Sequence, residues 1–441
     1  MKQYIEFFKA EREKIDIACS PLLNAYRDQA FSTFEEKGFP IYKSEDYQHT
    51  NIAGLLDSDF GFYLNYKGGR VNPHKVFHCN IPNLSSYLYF TINGHFFEEE
   101  TKKSLPQGVF SGSLNTFANQ HPELFAKYYN KLAKEKEDGL TAFNTMFVQD
   151  GYVLYVPENI VIENPIQLTN ILDGKIDSLI NRRIMIIIES CSQAKLLVCD
   201  HSTEENSSLA FSQVTEIYVG EKATLDFYEL EESTKKTIRL VNNFVQQSSS
   251  SNVMINNITL SNGITRNNYY LDLNGEYAET HLYGMAIVDD HQKIDNYSLI
   301  SHNVPHCHSN ELFKYVLDDS AEGCFSGKII VAQKAQKTQA YQNNKNLLGS
   351  KECQMYSKPQ LIINADDVKC SHGMTTGQLD ETALFYMRSR GIPKEEAILL
   401  LKFAFTNDVI QGIRLESLRD RLKLLVEKKF RGELVKCQEC I

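Results

Sequence analysis

The chain has 441 residues, of which 42% are hydrophobic and 23% are charged, and this length predicts about three domains, or fewer if one large β-architecture is present. Its 46 lysines and arginines are outnumbered by 56 aspartates and glutamates, so the net charge of −10 argues against binding of nucleic acid. Because no run of about 18 apolar residues exists, the sequence also excludes a membrane-spanning helix.

Residues 1–148 are predicted to form a mostly helical N-terminal domain. Apolar residues recur at a rough helical period between Lys2 and Ala30, and Pro122 occupies a position in a second helix where the first turn accepts proline. The start of the chain is too charged for the apolar segment of a secretory signal, so we expect a cytoplasmic protein.

Ten cysteines are scattered through the chain without the paired spacing that zinc sites use. In a cytoplasmic protein of this length they predict reduced thiols rather than a disulfide framework. The one CxxC motif, formed by Cys437 and Cys440, could bind zinc or change its redox state, and the alternative is a frayed chain end.

Residues 149–375 are predicted to form a series of short strands. Segments such as 152–156 and 253–260 are rich in β-branched and aromatic residues, and Asn, Gly, Ser and Asp fill the gaps between segments. The lack of crossover helices excludes a doubly wound α/β sheet and leaves a sandwich, a propeller or a β-solenoid. Asparagine pairs such as Asn256 and Asn257 favour the solenoid, because asparagine tolerates the left-handed turn that a stacked coil repeats at each corner. The sandwich stays open.

Residues 376–441 are predicted to form a C-terminal helical domain. Asp380 can cap one helix, and Pro393 can open a second helix that is apolar nearly all round, from Ile398 to Phe405. Such a helix is either buried within its own domain or keeps one face for the groove of a partner protein, and the sequence leaves both interpretations open.

The sharpest candidate site consists of Cys370 and His372, which follow the last strand-like segment. On an extended chain the two side chains point to the same side, with their backbones about 6.6 Å apart. A thiolate beside an imidazole suits iron, zinc or an iron–sulfur cluster, but two ligands do not complete a tetrahedral site. Another chain or another turn must then supply the rest. The alternative is a buried cysteine and a hydrogen-bonded histidine.

The densest cluster of ligand-type side chains lies between residues 301 and 308. It contains His302, His306, Cys307 and His308. His306 and His308 share a face of an extended chain, which would suit a metal ion, whereas the proline at 305 interrupts a strand and indicates a solvated polar turn. The sequence does not decide between the two.

Motifs for nucleophilic catalysis and phosphate binding are missing, since the sequence has no GxSxG, no P-loop and no GxGxxG after a strand. A polysaccharide lyase built on a β-helix is an alternative, and the acidic pairs Asp289-Asp290 and Asp366-Asp367 could suggest it. Adjacent strand residues point to opposite faces, however, so neither pair forms a ready acid–base couple.

The segment around Cys370 is part of a longer pattern that reads Ala365-Asp-Asp-Val-Lys-Cys-Ser-His-Gly-Met-Thr-Thr-Gly and is followed by Leu384-Phe-Tyr-Met-Arg-Ser-Arg-Gly-Ile. Related motifs upstream lie at 38–40, 45–47, 105–109, 121–124, 142–147 and 151–159. Together they closely resemble the SufD group of the SufB/SufD family, whose members are subunits of the SUF iron–sulfur cluster assembly machinery. The resemblance spans nearly the whole chain. One departure is Tyr47, where the family commonly has tryptophan, and this concerns packing rather than function.

The resemblance implies a mainly β fold with helical ends, in which a right-handed parallel β-helix core is flanked by N-terminal and C-terminal helical domains. It implies a non-catalytic scaffold subunit that pairs with a SufB-like paralogue through the β-helices. Cys370 and His372 would then lie at the interface between the subunits, where iron or an iron–sulfur cluster binds transiently. No tightly bound cofactor is implied, although reduced flavin is linked to the assembled complex.

The resemblance also implies that the C-terminal helices dock on a SufC-like ATPase. The residues placed in these docking helices are Leu384, Phe385, Tyr386, Arg388, Arg390, Ile398, Leu401 and Phe405. An isolated chain could form a homodimer, because the unpaired β-helix leaves strand edges or apolar surface exposed. A SufB-type paralogue is the alternative within the family, although SufB usually lacks the Cys-Ser-His-Gly motif.

Overall fold

The structure, a computed structural model, describes residues 1–64, 72–77, 84, 87–98, 104–136, 138–174, 176–202 and 208–433. Within these residues the chain is mainly β. Most strands stack into a parallel β-solenoid, and helices lie at its N-terminal and C-terminal ends. The predicted fold class is therefore confirmed. None of the described helices is long and apolar enough to cross a membrane.

Helices form two groups in the part of the chain that the structure describes. The N-terminal group comprises α1 (Lys2–Asp16), α2 (Pro21–Asn24), α3 (Arg27–Lys37), α4 (Ile52–Leu55), α5 (Pro73–Val76), α6 (Leu114–Gln120), α7 (Pro122–Tyr128), α8 (Leu132–Glu135) and α9 (Gly139–Phe147). The C-terminal group comprises α10 (Glu381–Ser389), α11 (Lys394–Gln411) and α12 (Glu416–Phe430). Asp380 caps α10 as predicted, because its Oδ1 accepts the N–H of Thr382 at 2.8 Å.

Strands in the described residues form two ten-stranded sheets. Before the regular solenoid come β1 (Gly61–Phe62), β2 (Tyr87–Ile92), β3 (His95–Phe97) and β4 (Phe110–Ser113). The following strands are β5 (Gly151–Val156), β6 (Ile166–Leu172), β7 (Ser178–Ile188), β8 (Gln193–Ser202), β9 (Leu209–Val219), β10 (Thr224–Glu232), β11 (Thr237–Gln247), β12 (Asn252–Ser261), β13 (Ile264–Leu273), β14 (Glu279–Val288), β15 (Lys293–His302), β16 (His308–Leu317), β17 (Glu322–Val331), β18 (Gln339–Leu348), β19 (Gln354–Ile363) and β20 (Lys369–Gly377).

From β5 onward the chain alternates between the two sheets, with odd-numbered strands in the first sheet and even-numbered strands in the second. Each strand pairs in parallel with the strand two places later. Ile264 of β13 pairs with Lys293 of β15, which pairs with Glu322 of β17, so one turn of the solenoid takes up 29 residues here. The same backbone position thus recurs once per turn and forms a ladder along each sheet.

The corners of the solenoid use left-handed backbone, but asparagine pairs do not supply it. Tyr277, His306 and Lys337 occupy successive corners between odd and even strands, each with a φ of 61°. Asn256 and Asn257 lie instead within β12 and are buried. The solenoid was therefore predicted correctly from an argument about corners that was wrong.

The interior between the sheets is apolar in one half and charged in the other. Leu225 and Leu282 belong to the large apolar cluster. In the charged half, Arg239 donates from Nε to Asp200 at 3.1 Å and from Nη2 to Glu229 at 3.0 Å, and all three side chains are at most 2% exposed. Buried charges persist only when each has partners of this kind.

Both helical groups cover an outer face of the solenoid. Asn144 of α9 donates to the backbone oxygen of Ser212 in the first sheet at 2.9 Å. Val409 and Leu422 of the C-terminal helices pack with Tyr228 of the second sheet. The proposed division into domains after residues 148 and 375 stays a prediction.

Candidate functional site

The C-terminal end of the solenoid is open. In the described part of the chain, β20 pairs only with β18 and β19 only with β17, so each sheet ends in an unpaired strand edge. Apolar side chains on these two strands are 40–47% exposed, and they are Tyr356, Ile362, Ile363 and Met374. An edge that combines free backbone groups with apolar side chains is a template for another strand.

Cys370 and His372 lie on β20 at this open end. Cys370 pairs with Ala340 of β18, and His372 pairs with Gln342. Cys370 is half-buried and packs against the apolar interior, whereas His372 is exposed. Because alternate strand residues share a face, both side chains project toward the space between the sheets. Their role as ligands stays a prediction.

The environment of Cys370 favours a neutral thiol. Burial raises the pKa of the Cys370 thiol above its usual value, and a backbone hydrogen bond from Ala340 only partly opposes this effect. A thiol with a raised pKa is a poor nucleophile, but a bound metal ion can still displace its proton. The raised pKa of the Cys370 thiol therefore argues against an activated nucleophile.

Polar side chains continue inward from His372. Gln342 of β18 pairs with His372 of β20 on one side and with Glu311 of β16 on the other. Its Nε2 donates to Oε2 of Glu311 at 2.7 Å. Burial raises the pKa of Glu311 to about 7. Sequence reasoning missed this Gln342–Glu311 pair, because its members lie one solenoid turn apart.

The predicted cluster between residues 301 and 308 does not form one site. His302 is buried with its Nε2 2.8 Å from Ser309 Oγ, Cys307 donates to the Gly275 backbone oxygen at 3.3 Å, and His306 stacks on Tyr277. Among the described residues, His308 is the one member of this cluster that lies in a group of three ligand-type side chains, and the other two are Glu279 and His281. Cys437 and Cys440 lie outside the described residues.

A second group of ligand-type side chains lies beside a cavity of about 560 Å³ near the open end. His49, Glu322 and Cys324 place one ligand atom each within 4.8 Å of one another. Glu322 already accepts from Lys293 at 2.7 Å, and burial raises the pKa of the Cys324 thiol strongly. With its carboxylate paired and its thiol neutral, this group does not make a ready metal site.

The predicted docking residues divide into exposed and packed ones. Phe385 is 74% exposed and Tyr386 is 58% exposed, and Arg388 and Arg390 are also exposed on or just after α10. Leu384 is buried, Ile398 and Leu401 are half-buried, and Phe405 packs against the cluster that joins the C-terminal helices to the second sheet. Part of the apolar surface of α11 is therefore buried against the rest of the chain.

Phe385 and Tyr386 of α10 are the most exposed apolar side chains among the predicted docking residues. The guanidinium of Arg390 lies 5.1 Å from the ring centroid of Tyr386 and donates to its hydroxyl at 3.0 Å. Exposed aromatic and arginine side chains are the residue types that contribute most to protein interfaces. Docking by these residues stays a prediction.

Two family models match the chain. The model described as "SUF system FeS cluster assembly, SufBD core domain" matches residues 171–405, and the model described as "SufBD protein N-terminal region" matches residues 1–168. Together they cover most of the sequence.

Several curated proteins are similar to this chain. An iron–sulfur cluster assembly SufBD family protein of Synechocystis is 29% identical over 88% of this chain and 86% of its own length. The iron–sulfur cluster assembly protein SufD of Escherichia coli is 25% identical over 98% and 97%, and SufD of Bacillus subtilis is 26% identical over 74% and 75%. The chain therefore belongs to the SufBD family of the SUF system for iron–sulfur cluster assembly.

Proposed function

We propose that this chain is a non-catalytic scaffold subunit that pairs with a SufB-like paralogue at the open end of the solenoid. The observation that carries the proposal is the unpaired edge of β19 and β20, which holds Cys370 and His372. A partner solenoid that adds its own strands there covers the exposed apolar side chains and brings further ligands to the pair.

The chemistry of the pair supports transient binding of iron or a nascent cluster. One thiol and one imidazole leave a tetrahedral iron or zinc site short of two ligands, so the complete site needs the partner subunit. The neutral thiol of Cys370 loses its proton when metal binds, which couples loading to proton release. Iron and sulfide are thus cargo in this proposal, and reduced flavin belongs to the assembled complex.

The C-terminal helices are the proposed docking surface for a SufC-like ATPase. Phe385 and Tyr386 supply exposed aromatic area, and Arg388 and Arg390 surround it with positive charge. The packing of α11 and α12 on the second sheet gives a rigid path from this surface to the core. We place the protein in the cytoplasm, because all seven cysteines in the described residues are free thiols.

Acidic pairs give the polysaccharide lyase little support. Asp290 is ion-paired with Lys235, and Asp367 is ion-paired with Lys337. Lys429 lies 2.8 Å from Asp289. Carboxylates engaged by lysine do not make a separated acid and base on one groove.

Co-expression with the paralogue and the ATPase tests the proposed site. Cys370→Ser and His372→Ala are expected to lower the iron and acid-labile sulfide of the purified complex several-fold without loss of a subunit. Cys191→Ser is the matched control, because Cys191 is an exposed thiol at a distant corner. Normal iron and sulfide content in both site variants, with the complex intact, would contradict the proposed ligand role of Cys370 and His372. Failure of the chain to bind the paralogue would remove the scaffold proposal itself.

A further inference from the structure

Three ligand-type side chains meet on the outer face of the second sheet. Glu279 opens β14 and His308 opens β16, and the two residues are direct register partners, while His281 lies two residues after Glu279. Glu279 Oε1 is 2.8 Å from His281 Nε2 and 3.8 Å from His308 Nδ1, and one ligand atom from each residue lies within 4.8 Å of the others. Ligands around a tetrahedral metal ion are about 3.4 Å apart, so small side-chain rotations suffice.

One ring nitrogen in this group has no hydrogen-bond partner among the described residues. It is the Nδ1 of His308, and this atom is buried. The Nδ1 of His281 lies 3.3 Å from the Tyr283 hydroxyl, and its Nε2 is hydrogen-bonded to Glu279 Oε1 at 2.8 Å, a contact that a bound metal ion would replace. An unpartnered ring nitrogen aimed at a carboxylate is costly unless a proton or a metal ion lies between them.

A second layer of side chains holds the ligands in place. Asn252 donates from Nδ2 to Glu279 Oε2 at 3.0 Å, and Asn310 donates to the Tyr283 hydroxyl at 3.0 Å. The Tyr283 ring packs directly on Gly412, where an added Cβ would lie 2.6 Å from ring carbons. Support of this kind fixes the orientation of histidine ligands in metal sites.

Arg414 places a positive charge near His281, and this charge is already paired with a carboxylate. Its Nη1 lies 2.9 Å from Asp226 Oδ1 and also donates to Asn252 Oδ1 at 2.9 Å. The ligand set itself contributes one carboxylate and two imidazoles. That combination selects divalent first-row transition ions over calcium and magnesium, which need oxygen ligands.

We propose that Glu279, His281 and His308 bind one divalent transition-metal ion, Zn²⁺ or Fe²⁺, with positions left open for water or a partner's ligand. The site is separate from Cys370, because β16 and β20 are two strand spacings apart, roughly 10 Å, and Cys370 faces the interior. It goes beyond the proposed scaffold function and does not depend on it.

Metal binding to the full-length chain tests the proposal. The background carries Cys370→Ala, His372→Ala, Cys437→Ala and Cys440→Ala, so that neither the pair on β20 nor the CxxC motif can bind the probe, and the ligand variants below separate the site from the group of His49, Glu322 and Cys324. Co²⁺ is the spectroscopic probe, and anaerobic Fe²⁺ and Zn²⁺ compete with it. We expect one equivalent of Co²⁺ with visible d–d absorption, displaced by whichever ion the site prefers. This background also separates failure here from failure of the proposed function.

The variants give a graded result. Glu279→Gln, His281→Gln and His308→Gln each remove a ligand, and affinity should fall by more than about 100-fold, whereas Tyr283→Phe should cost roughly 10-fold as a supporting residue. His306→Asn is the matched control, because His306 stacks on Tyr277 away from the group and asparagine tolerates its positive φ. Absence of a Co²⁺ equivalent in the background, unchanged affinity in folded His308→Gln, or equal loss in His306→Asn would each overturn the proposal.

Discussion

Replacing Glu311 with glutamine should change how stability depends on pH. Glu311 is fully buried in the solenoid interior, where its Oε2 accepts from Gln342 Nε2 at 2.7 Å and burial raises its pKa to about 7. Glutamine keeps that acceptor and has nearly the same shape. Its new N–H can donate to Gln342 Oε1, which has no hydrogen-bond partner among the described residues.

The size of the effect follows from proton linkage. The folded pKa of about 7 lies above the ordinary value of 4.5, so between these values the folded protein holds a proton that the unfolded chain releases. The contribution of Glu311 to the unfolding free energy is therefore full below about pH 4.5 and is lost as the pH rises through 7. Between about pH 5 and pH 8 the loss amounts to about 2.5 kcal/mol, and Glu311→Gln avoids it.

Urea unfolding of the wild type and of Glu311→Gln, measured at several pH values, isolates this contribution. The quantity to compare is the difference between the two proteins at each pH, because other groups act equally in both. His302 is one such group, since burial lowers its pKa to about 4 and makes stability rise with pH in this window. Glu158→Gln is the control, because Glu158 is an exposed carboxylate on the solenoid.

We expect the unfolding free energy of Glu311→Gln to rise steadily relative to that of the wild type from about pH 5 to pH 8. A difference that stays constant over this range would mean that Glu311 is ionised in the folded protein, and the account of the interior would be refuted. An equal pH-dependent gain in Glu158→Gln would show that the effect does not come from burial.

Two further predictions concern the C-terminal helices. The double substitution Phe385→Ala and Tyr386→Ala should weaken binding to a SufC-like ATPase by about 2 kcal/mol, or roughly 30-fold in Kd, with unchanged unfolding of the isolated chain, and unchanged Kd in a binding titration would contradict it. Leu422→Ala should lower the unfolding free energy by about 2–5 kcal/mol, because Leu422 is 1% exposed between α12 and the second sheet. Leu424→Ala on the same helix is the control for Leu422→Ala, since Leu424 is 55% exposed, and equal destabilisation by the two leucine substitutions would show that α12 is not docked as described.

Short sequence patterns predicted the individual strands and helices better than they predicted the corners between the strands. The strand segments rich in β-branched and aromatic residues and the cap at Asp380 can each be recognised from a few adjacent residues, and both were predicted correctly. The corners were not, because residues as different as Tyr277, His306 and Lys337 accept the left-handed conformation when pairing on both sides over-determines it.

The candidate sites were likewise predictable only where their residues are close together in the sequence. Cys370 and His372 share a face because they are two residues apart, and sequence spacing is enough to predict that. Glu279 and His308 are also neighbours, but they are one solenoid turn apart. Turn length varies along the chain: Ile264 pairs with Lys293, 29 residues later, and Gln339 pairs with Lys369, 30 residues later. A fixed period read from one sequence therefore cannot align such pairs.

The open end of the solenoid ties the fold to the proposed function. Every inner strand of the two sheets is paired on both sides, so the backbone groups and apolar faces at β19 and β20 are where stacking stops. A folded chain must cover or blunt such an edge, or the edge favours uncontrolled association. As proposed ligands, Cys370 and His372 also supply only two of the four bonds of a tetrahedral iron site. One partner solenoid at this end would meet both requirements, which is why an isolated chain should pair with a second copy when the paralogue is absent and release it when the paralogue is added.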